Sequence, residues 1–228
     1  MKKIGIIAAM WVELEPIHSN MSEIKEYVIS GMKYFEGKID GIQVVLSECG
    51  IGKINAAIYT QILIDRFKVD AIIHTGIAGS MDNVVKHLGI VVAEGLTYHD
   101  IRKTQMKNFF PFQSEFKTDK KISSILAASA GNDCVKGLII SGDAFITDTK
   151  RKDNLKKLYP NAACVEMEGC AVAHAAFVNN IPFGVIRCIS DLADGNASED
   201  YFDFEKVAAK KAGEIVIKSI KKLVYQEI

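Results

Sequence analysis

Short apolar runs alternate with segments of helical periodicity along most of this chain. An unbroken apolar run of roughly four to eight residues is typical of a strand buried on both faces. Seven runs predict such strands: Lys3–Ala9, Val44–Glu48, Ala71–Thr75, Ile90–Leu96, Val135–Ser141, Ala163–Glu166 and Phe183–Ile189. Two weaker runs lie at Glu26–Ile29 and Tyr34–Ile39. The glycines between these early runs, Gly31 and Gly41, indicate an antiparallel meander.

Apolar residues at helical spacing predict the segments between the strands. The predicted helices are Ile54–Phe67, Lys120–Ala130, Lys150–Leu158, Gly169–Asn179 and Phe204–Tyr225. Gly169–Asn179 is apolar nearly all round, so we expect it to be buried between layers. Alternation of buried strands with helices predicts an α/β fold with a mixed, mainly parallel twisted sheet. No internal boundary is visible, and 228 residues fit a single domain spanning 1–228.

Composition narrows the possible partners. The chain is 49% hydrophobic and carries 28 basic and 28 acidic residues, so its formal net charge is zero. Nucleic-acid binders usually carry a basic surplus, so we expect no nucleic-acid partner. No stretch has the roughly 18 apolar residues that span a membrane, so we expect no membrane-spanning segment and no membrane partner. The five cysteines form no C-x-x-C pair, which favours reduced thiols and a cytoplasmic location.

Acidic residues follow several of the predicted strands. Glu166 and Glu168 follow one apolar run, Asp191 and Asp194 follow another, and Glu13 lies one helical turn beyond the first. Ligands of open α/β sheets bind in the crevice outside the carboxyl ends of the strands. Converging carboxylates there are suited to breaking a glycosidic bond, because one group protonates the leaving group while another stabilises the cation.

Two details refine this candidate site. Glu166 and Glu168 are two positions apart at a strand end, so we expect only one of them to enter the site. Arg187 lies inside an apolar strand and needs a carboxylate partner if it is buried. Glu13 and Glu168 are the candidates for that partner.

Other motifs predict less. Gly50–Lys53 lacks the spacing of a Walker loop, and Gly76–Gly79 does not match G-x-G-x-x-G. His99–Asp100 could be a polarised histidine pair, but the chain has no serine in a G-x-S-x-G turn for that histidine to activate. Cys170 and His174 could form a thiol–imidazole pair, but such residues on an apolar helix more often belong to the hydrophobic core. The aromatic-rich segment 98–118 is either a lid, an interface element or an anchored loop. No group of residues has zinc-site spacing, so we expect no metal and no cofactor.

The motifs of this chain resemble those of 5′-methylthioadenosine/S-adenosylhomocysteine nucleosidases, in the nucleoside phosphorylase/hydrolase superfamily. Matching segments occur in family order from residue 3 to about 208. They are Ile4–Met10 with Glu13, Gly50–Lys53, Thr75–Gly79, Tyr98–Asp100, Ser141–Ile146, Val165–Glu168 and Arg187–Asp191. The resemblance implies a three-layer αβα sandwich, a homodimer, and hydrolysis of the adenine–ribose bond of thioether nucleosides.

The same resemblance implies roles for individual residues. Asp191, held by Ser190, would protonate adenine N7, and Glu13 would orient the attacking water with Arg187 nearby. Glu168 would bind the ribose hydroxyls beneath Met167, Phe145 would stack on adenine, and the Ile146 backbone would bind the edge of the base. The remaining substrate-binding positions are Met10, Ile51, Ile77, Ala78 and Gly79.

Three departures from the family pattern and three rival functions stay open. Ile77 stands where a small hydroxyl residue is usual, Trp11–Val12 replaces acidic residues, and segment 98–118 is short. The sequence therefore leaves the preferred 5′ substituent undecided. The rivals are a phosphate-using purine nucleoside phosphorylase, a non-catalytic nucleoside-binding protein of the same fold, and an amidohydrolase dependent on Cys170.

Overall fold

The computed structural model describes residues 2–81 and 85–225. The predicted unit 1–228 also includes residues 1, 82–84 and 226–228, which lie outside the described residues. The described strands are β1 (Lys3–Ala8), β2 (Ser22–Ile29), β3 (Met32–Ile39), β4 (Ile42–Glu48), β5 (Ala71–Ser80), β6 (Ile90–Tyr98), β7 (Glu115–Lys117), β8 (Cys134–Ser141), β9 (Ala162–Glu166) and β10 (Phe183–Asp191). The described helices are α1 (Trp11–His18), α2 (Lys53–Phe67), α3 (Lys103–Asn108), α4 (Lys120–Ala130), α5 (Thr149–Leu158), α6 (Gly169–Val178) and α7 (Ala197–Tyr225).

All ten described strands belong to one mixed sheet. Five neighbouring pairs are parallel: β1–β4, β1–β5, β5–β10, β6–β8 and β8–β9. Five are antiparallel: β2–β3, β3–β4, β5–β9, β6–β10 and β6–β7. The α/β class is confirmed, but the prediction of a mainly parallel sheet is wrong.

Part of the antiparallel pairing comes from local turn chemistry. Two-residue turns, Ser30–Gly31 and Asp40–Gly41, join β2 to β3 and β3 to β4. All four residues have positive φ, between 49° and 84°, which matches the turn type that suits the twist of a hairpin. The meander predicted from the two glycines is confirmed.

Two further antiparallel pairs come from a closed ring of strands. The sheet runs β10–β6–β8–β9–β5, and β5 pairs again with β10. Closure requires the antiparallel pairs β10–β6 and β5–β9, which join strands far apart in the chain. Pairing between distant strands leaves no local sequence signal. The alternation of strands and helices therefore overestimated the number of parallel strand pairs.

Helices cover both faces of this sheet. In β1, Ile4 and Ile6 pack in a cluster with apolar residues of α1, α4 and α7. Ile7, on the other face, packs with residues of α2 and α6. This alternation follows from the period of two along a strand. As predicted, α6 is buried along most of its length, between the sheet and α2.

Four elements differ from those that periodicity predicts: three were not predicted, and one begins earlier than predicted. α1, α3 and β7 are short, and the last two lie within the segment 98–118. α7 begins at Ala197, seven residues before the predicted start at Phe204. Asp194 accepts a bond from the Asn196 backbone N–H at 3.0 Å and anchors this start. Within the described residues, no helix is both long and apolar enough to cross a membrane.

Candidate active site

A cavity of about 530 Å³ opens at the carboxyl ends of the strands. Its wall includes Glu13 from α1, Glu168 after β9, and Asp191 at the end of β10. All three carboxyl-bearing side chains are at least nine-tenths buried. The cavity volume falls in the range of small-molecule sites, which is about 300–1,000 Å³. The structure therefore brings together three acids that are separated by up to 178 positions in the sequence.

Glu13 is fixed by backbone donors on both of its oxygens. The N–H of Ile77 donates to Oε1 and the N–H of Met10 donates to Oε2, each at 3.0 Å. Gly76 leaves room for this arrangement, because a Cβ at that position would lie 2.6 Å from Oε1. Burial raises the pKa of Glu13, although the Arg187 charge and the backbone bonds oppose the shift.

Asp191 is held by its immediate neighbours. Ser190 Oγ donates to Oδ2 and the Ala193 N–H donates to Oδ1, both at 2.9 Å. Burial raises the pKa of Asp191, and these two bonds only partly offset it. Gly79 closes the other side, since a Cβ there would lie 2.7 Å from Oδ1. The site thus contains a rigidly held acid that binds a proton more readily than an exposed aspartate does.

Glu168 lies against the N-terminus of α2. The N–H of Gly52, directly before that helix, donates to Glu168 Oε1 at 2.7 Å. Burial and the negative charge of Glu166 nevertheless raise the pKa of Glu168 to about 8. A carboxyl group with this pKa carries a proton near neutrality and can donate a hydrogen bond to a ligand.

Arg187 lies behind the cavity wall and pairs with Glu166. Its Nη2 donates to Glu166 Oε2 at 2.6 Å and also contacts His74 Nε2. The prediction that Glu13 or Glu168 serves as its partner is wrong. Glu166 is the partner because it ends β9 with its carboxylate facing the guanidinium, whereas both Glu13 oxygens are held by backbone donors.

Glu166 is satisfied on both oxygens and remains ionised. Ser141 donates to Oε1, and the Gly169 N–H donates to Oε2 at 2.6 Å. Burial alone would raise its pKa, but the Arg187 charge and the hydrogen bond from Ser141 lower it below the usual value. Glu166 and Glu168 both border the cavity, yet only the Glu168 carboxyl group is left without a cationic partner among the described contacts.

His74 supports the guanidinium from the other side. Its Nδ1 lies 2.9 Å from the Ile7 carbonyl oxygen, so this nitrogen carries the proton and Nε2 accepts from Arg187. Burial and the Arg187 charge lower the pKa of His74 to about 3. The ring is therefore neutral. Its role could not be predicted from the sequence, because a lone histidine in a strand resembles ordinary core.

Apolar side chains form most of the remaining wall. Of the predicted binding residues, those on the cavity are Met10, Ile51, Ile77, Ala78, Gly79, Phe145, Met167 and Ser190. Ile146 lies on a small adjoining pocket of about 30 Å³ that also touches Asp191. Arg187 is the one predicted site residue that does not line either space in the described structure.

Sequence reasoning missed three residues at the start of α7. Ser198, Tyr201 and Phe202 line the cavity. The Tyr201 ring meets the Phe145 ring edge-on with 5.7 Å between centroids. The predicted helix began too late to include them. The acidic residues Glu199 and Asp200, which favour a helix N-terminus, could have revealed the earlier start.

The remaining motifs lie outside the cavity. Cys170 is buried in α6, and burial raises the pKa of its thiol well above the usual value. His174 Nδ1 contacts the Tyr98 hydroxyl at 3.3 Å. Neither residue lines the cavity, so the geometry offers no support for a cysteine-dependent amidohydrolase.

One cluster has the composition of a metal site. Ligand atoms of His74, Glu166 and Glu168 lie within 4.8 Å of one another. However, the Arg187 guanidinium already bonds to His74 and Glu166. A metal ion would lie against that positive charge, so this donor set does not suit a metal.

The comparisons with known proteins agree with this fold. The family model of the phosphorylase superfamily matches residues 3–221. The fold and the site thus define a member of the phosphorylase superfamily.

A more specific likeness comes from a relative and a solved structure. A 5′-methylthioadenosine/S-adenosylhomocysteine nucleosidase of Actinobacillus succinogenes is 38% identical, covering 94% of this chain and 96% of its own. The structure of a nucleosidase of that name from Neisseria meningitidis, in complex with methylthio-immucillin-A, has a TM-score of 0.93 and 30% identity. The match covers 97% of this chain and 100% of the Neisseria meningitidis chain. This chain belongs to the family of 5′-methylthioadenosine/S-adenosylhomocysteine nucleosidases.

A futalosine hydrolase from Helicobacter pylori also shares the fold. Its TM-score is 0.90 at 27% identity, with 97% of this chain and 98% of that chain covered. Hydrolases with two different names therefore share this architecture. The fold alone does not determine the substrate, so the base that this protein releases must be tested.

Proposed function

We propose that this protein hydrolyses the N-glycosidic bond of 5′-methylthioadenosine and S-adenosylhomocysteine, releasing adenine and the 5′-thio-ribose. 5′-Deoxyadenosine is a further candidate substrate. The observation that carries the proposal is the meeting of Glu13, Glu168 and Asp191 on one apolar cavity. The family membership supports the same reaction.

Asp191 is proposed as the general acid. Adenine leaves poorly as an anion, so the base must gain a proton as the glycosidic bond stretches. The raised pKa of Asp191 keeps a proton available for adenine N7, and Ser190 fixes the orientation of the carboxyl group. Phe145, partly exposed at the cavity, would stack on the base, and the Ile146 backbone would bind its edge.

Glu13 is proposed to orient and deprotonate the attacking water. Its oxygens are pinned by two backbone donors, so the remaining lone pairs have fixed directions. Proton acceptance is favoured because burial raises the pKa of Glu13. Arg187 lies close behind and limits that rise through its positive charge.

Glu168 is proposed to bind the ribose hydroxyls beneath Met167. During bond cleavage the sugar acquires positive charge, as in other glycoside hydrolyses. That charge would favour the ionised form of Glu168 and be stabilised by it in a site with little water. The walls formed by Met10, Ile51 and Ile77 would surround the rest of the substrate.

A phosphorylase would need donors for a phosphate dianion at the nucleophile position. Among the described residues on the cavity, none is a lysine or an arginine. Glu13 and the apolar Ile77 frame the proposed water position, and a carboxylate repels phosphate. These contacts favour hydrolysis over phosphorolysis.

The decisive experiment follows products in buffer without phosphate. Methylthioadenosine, S-adenosylhomocysteine, 5′-deoxyadenosine and inosine are incubated separately with the protein and analysed by chromatography. We expect free adenine from the first three and no base from inosine. Release that requires added phosphate would indicate a phosphorylase, and comparable release of hypoxanthine would contradict the assigned contact between Asp191 and adenine.

A non-catalytic binding protein is distinguished by one substitution. Asp191→Asn keeps the size of the side chain but cannot deliver the proton, so kcat should fall by about 10²–10⁴-fold. Binding of adenine, measured by calorimetry, should change much less. Unchanged turnover in this variant would refute the catalytic role.

Self-association is also part of the proposal. Ile51, Ile54 and Ile58 are 48–73% exposed and follow one another at the start of α2. Ile51 borders the cavity, so a second copy of the chain on this face would lie beside the site. We expect a homodimer in light scattering and a monomer for Ile54→Asp/Ile58→Asp. The exposed Val207 on α7 provides the control substitution, Val207→Asp, which should remain dimeric.

We further propose a cytoplasmic location. All five cysteines are free, and four of them are buried. Free thiols are typical of proteins in reducing compartments. Fractionation of the source cells, with the protein detected by antibody, would test this.

A further inference from the structure

Lys53 connects three segments around the candidate site. Its Nζ lies 2.6 Å from both carboxylate oxygens of Asp100, and its backbone N–H donates to Asp143 Oδ1 at 2.9 Å. The Asp143 N–H in turn donates to Asp100 Oδ2 at 2.9 Å. These contacts close a ring of hydrogen bonds among Lys53, Asp100 and Asp143, which we call the Lys53 ring.

The ring lies next to two parts of the substrate site. Gly52, immediately before Lys53, donates its N–H to Glu168. Phe145, which borders the cavity, is two residues beyond Asp143. The ring therefore fixes the distance between the backbone that holds Glu168 and the segment that carries Phe145.

The Lys53–Asp100 ion pair is partly shielded from water, whereas the Asp143 side chain is 47% exposed. The side chains of Lys53 and Asp100 are 15% and 29% exposed. Burial tends to raise the pKa of Asp100, but the bonds from Lys53 and the Asp143 N–H outweigh it and lower that pKa. Exposed ion pairs contribute little, whereas a shielded pair that also binds backbone groups in series contributes more.

The ring also explains motifs that the proposed reaction does not use. Gly50–Lys53 lacks Walker spacing, and here its lysine binds carboxylates. His99–Asp100 has no nucleophile to serve, and here Asp100 joins the Lys53 amine to the Asp143 backbone. Gly52 has a φ of 99°, a left-handed conformation that favours glycine and turns its N–H toward Glu168.

We propose that Lys53 is a positioning residue, which holds the segment bearing Phe145 at the correct separation from Glu168 so that the nucleoside binds between them. Lys53 touches neither the base nor the ribose in this role. The inference rests on the proposed function, because Phe145 and Glu168 are assigned there to the base and to the sugar. Loss of Lys53 should therefore weaken ground-state binding more than it slows bond cleavage.

The test compares Lys53→Met with the wild-type enzyme. We expect KM for methylthioadenosine and the dissociation constant of adenine to rise roughly tenfold, with kcat changed by no more than about twofold. Lys53→Arg keeps a cation and should recover most of the affinity. Lys157→Met removes an exposed lysine on α5 and should match the wild type.

A double-substitution cycle tests whether the ring acts as a unit. Asp100→Asn alone should raise KM. Lys53→Met/Asp100→Asn should bind no more weakly than Lys53→Met alone, because the ion pair is already lost and the amide oxygen can still accept from the Asp143 N–H. Additive losses would mean that the two residues act separately and would overturn the proposal.

Hydrogen exchange supplies a readout that does not depend on turnover. Lys53→Met should accelerate exchange in a peptide spanning residues 142–148 while leaving β1 and β5 protected. Unchanged exchange there, or accelerated exchange throughout the sheet, would overturn the local positioning role. A wild-type enzyme that releases no adenine would defeat the proposed function, while the exchange result would still report on the Lys53 ring.

Discussion

Arg187 and Glu166 form an ion pair 2.6 Å long in which both side chains are only 2% exposed. The pair lies behind the cavity, with neutral His74 on one side and Ser141 on the other. Although the arginine is close, burial raises the pKa values of Glu13 and Glu168, and the negative charge of Glu166 raises that of Glu168 further. One buried acid thus stays ionised beside Arg187, while burial raises the pKa values of two other acids on the cavity.

We predict that Glu166→Gln strongly destabilises the protein. Removal of one partner of a buried pair leaves an uncompensated charge, which costs about 3–5 kcal/mol. Urea unfolding measures this loss. The control, Lys33→Met, breaks the exposed Lys33–Glu26 pair and should cost less than about 1 kcal/mol. Equal losses in the two variants would contradict the assigned importance of the buried pair.

Gly76→Ala should reduce turnover without removing any functional group. The new Cβ would lie 2.6 Å from Glu13 Oε1 and 3.3 Å from Arg187 Nη1, so the carboxylate must shift. A displacement of about 1 Å at a reacting group costs about 10²-fold in rate. Steady-state assays would detect this loss as a fall in kcat. Gly195→Ala, where a Cβ meets nothing within 4 Å, should leave kcat unchanged. Normal turnover in Gly76→Ala would argue against Glu13 as the base.

The sequence predicted the buried strands well because each is an unbroken apolar run. It also placed Glu13, Glu168 and Asp191 at strand ends, and all three border the cavity. Strand ends are local features, and the carboxyl edge of the sheet then gathers them. Local pattern was sufficient for this part of the site.

Contacts that depend on the closed sheet were beyond local pattern. Arg187 had two acidic candidates, Glu13 and Glu168, and periodicity could not show that Glu166 faces it instead. His74 looked like core because its partners, Ile7 and Arg187, are 67 and 113 positions away. The early start of α7 was missed because its first turns are polar on the outside, although Tyr201 faces the cavity.

Glu13→Gln should abolish most activity while preserving binding. Both oxygens of Glu13 accept backbone N–H groups, so an amide must turn its NH₂ toward one donor and cannot take a proton from water. We expect kcat to fall by about 10²–10⁴-fold, with little change in the dissociation constant of adenine. Glu15→Gln, on the exposed side of α1, is the matched control. A wild-type kcat in Glu13→Gln would exclude the role proposed for Glu13.

Glu168→Gln should change how stability depends on pH. The folded protein raises the pKa of Glu168 from 4.5 to about 8. Between these values the unfolded chain loses the proton while the folded chain keeps it, so unfolding is increasingly favoured as the pH rises. The stabilising contribution is complete below about pH 4.5 and is lost by the time the pH has risen through about 8. Glutamine cannot ionise, so the variant lacks this loss.

The measurement is the free energy of unfolding of both proteins in urea at about pH 5, 7 and 9. The stability of Glu168→Gln relative to the wild type should increase from the lowest pH to the highest, because the other carboxyl groups contribute similarly to both proteins and cancel in the difference. A difference that stays constant with pH would mean that Glu168 ionises alike in the folded and unfolded states. In that case the Gly52 N–H, rather than burial and the Glu166 charge, would dominate the environment of this carboxyl group.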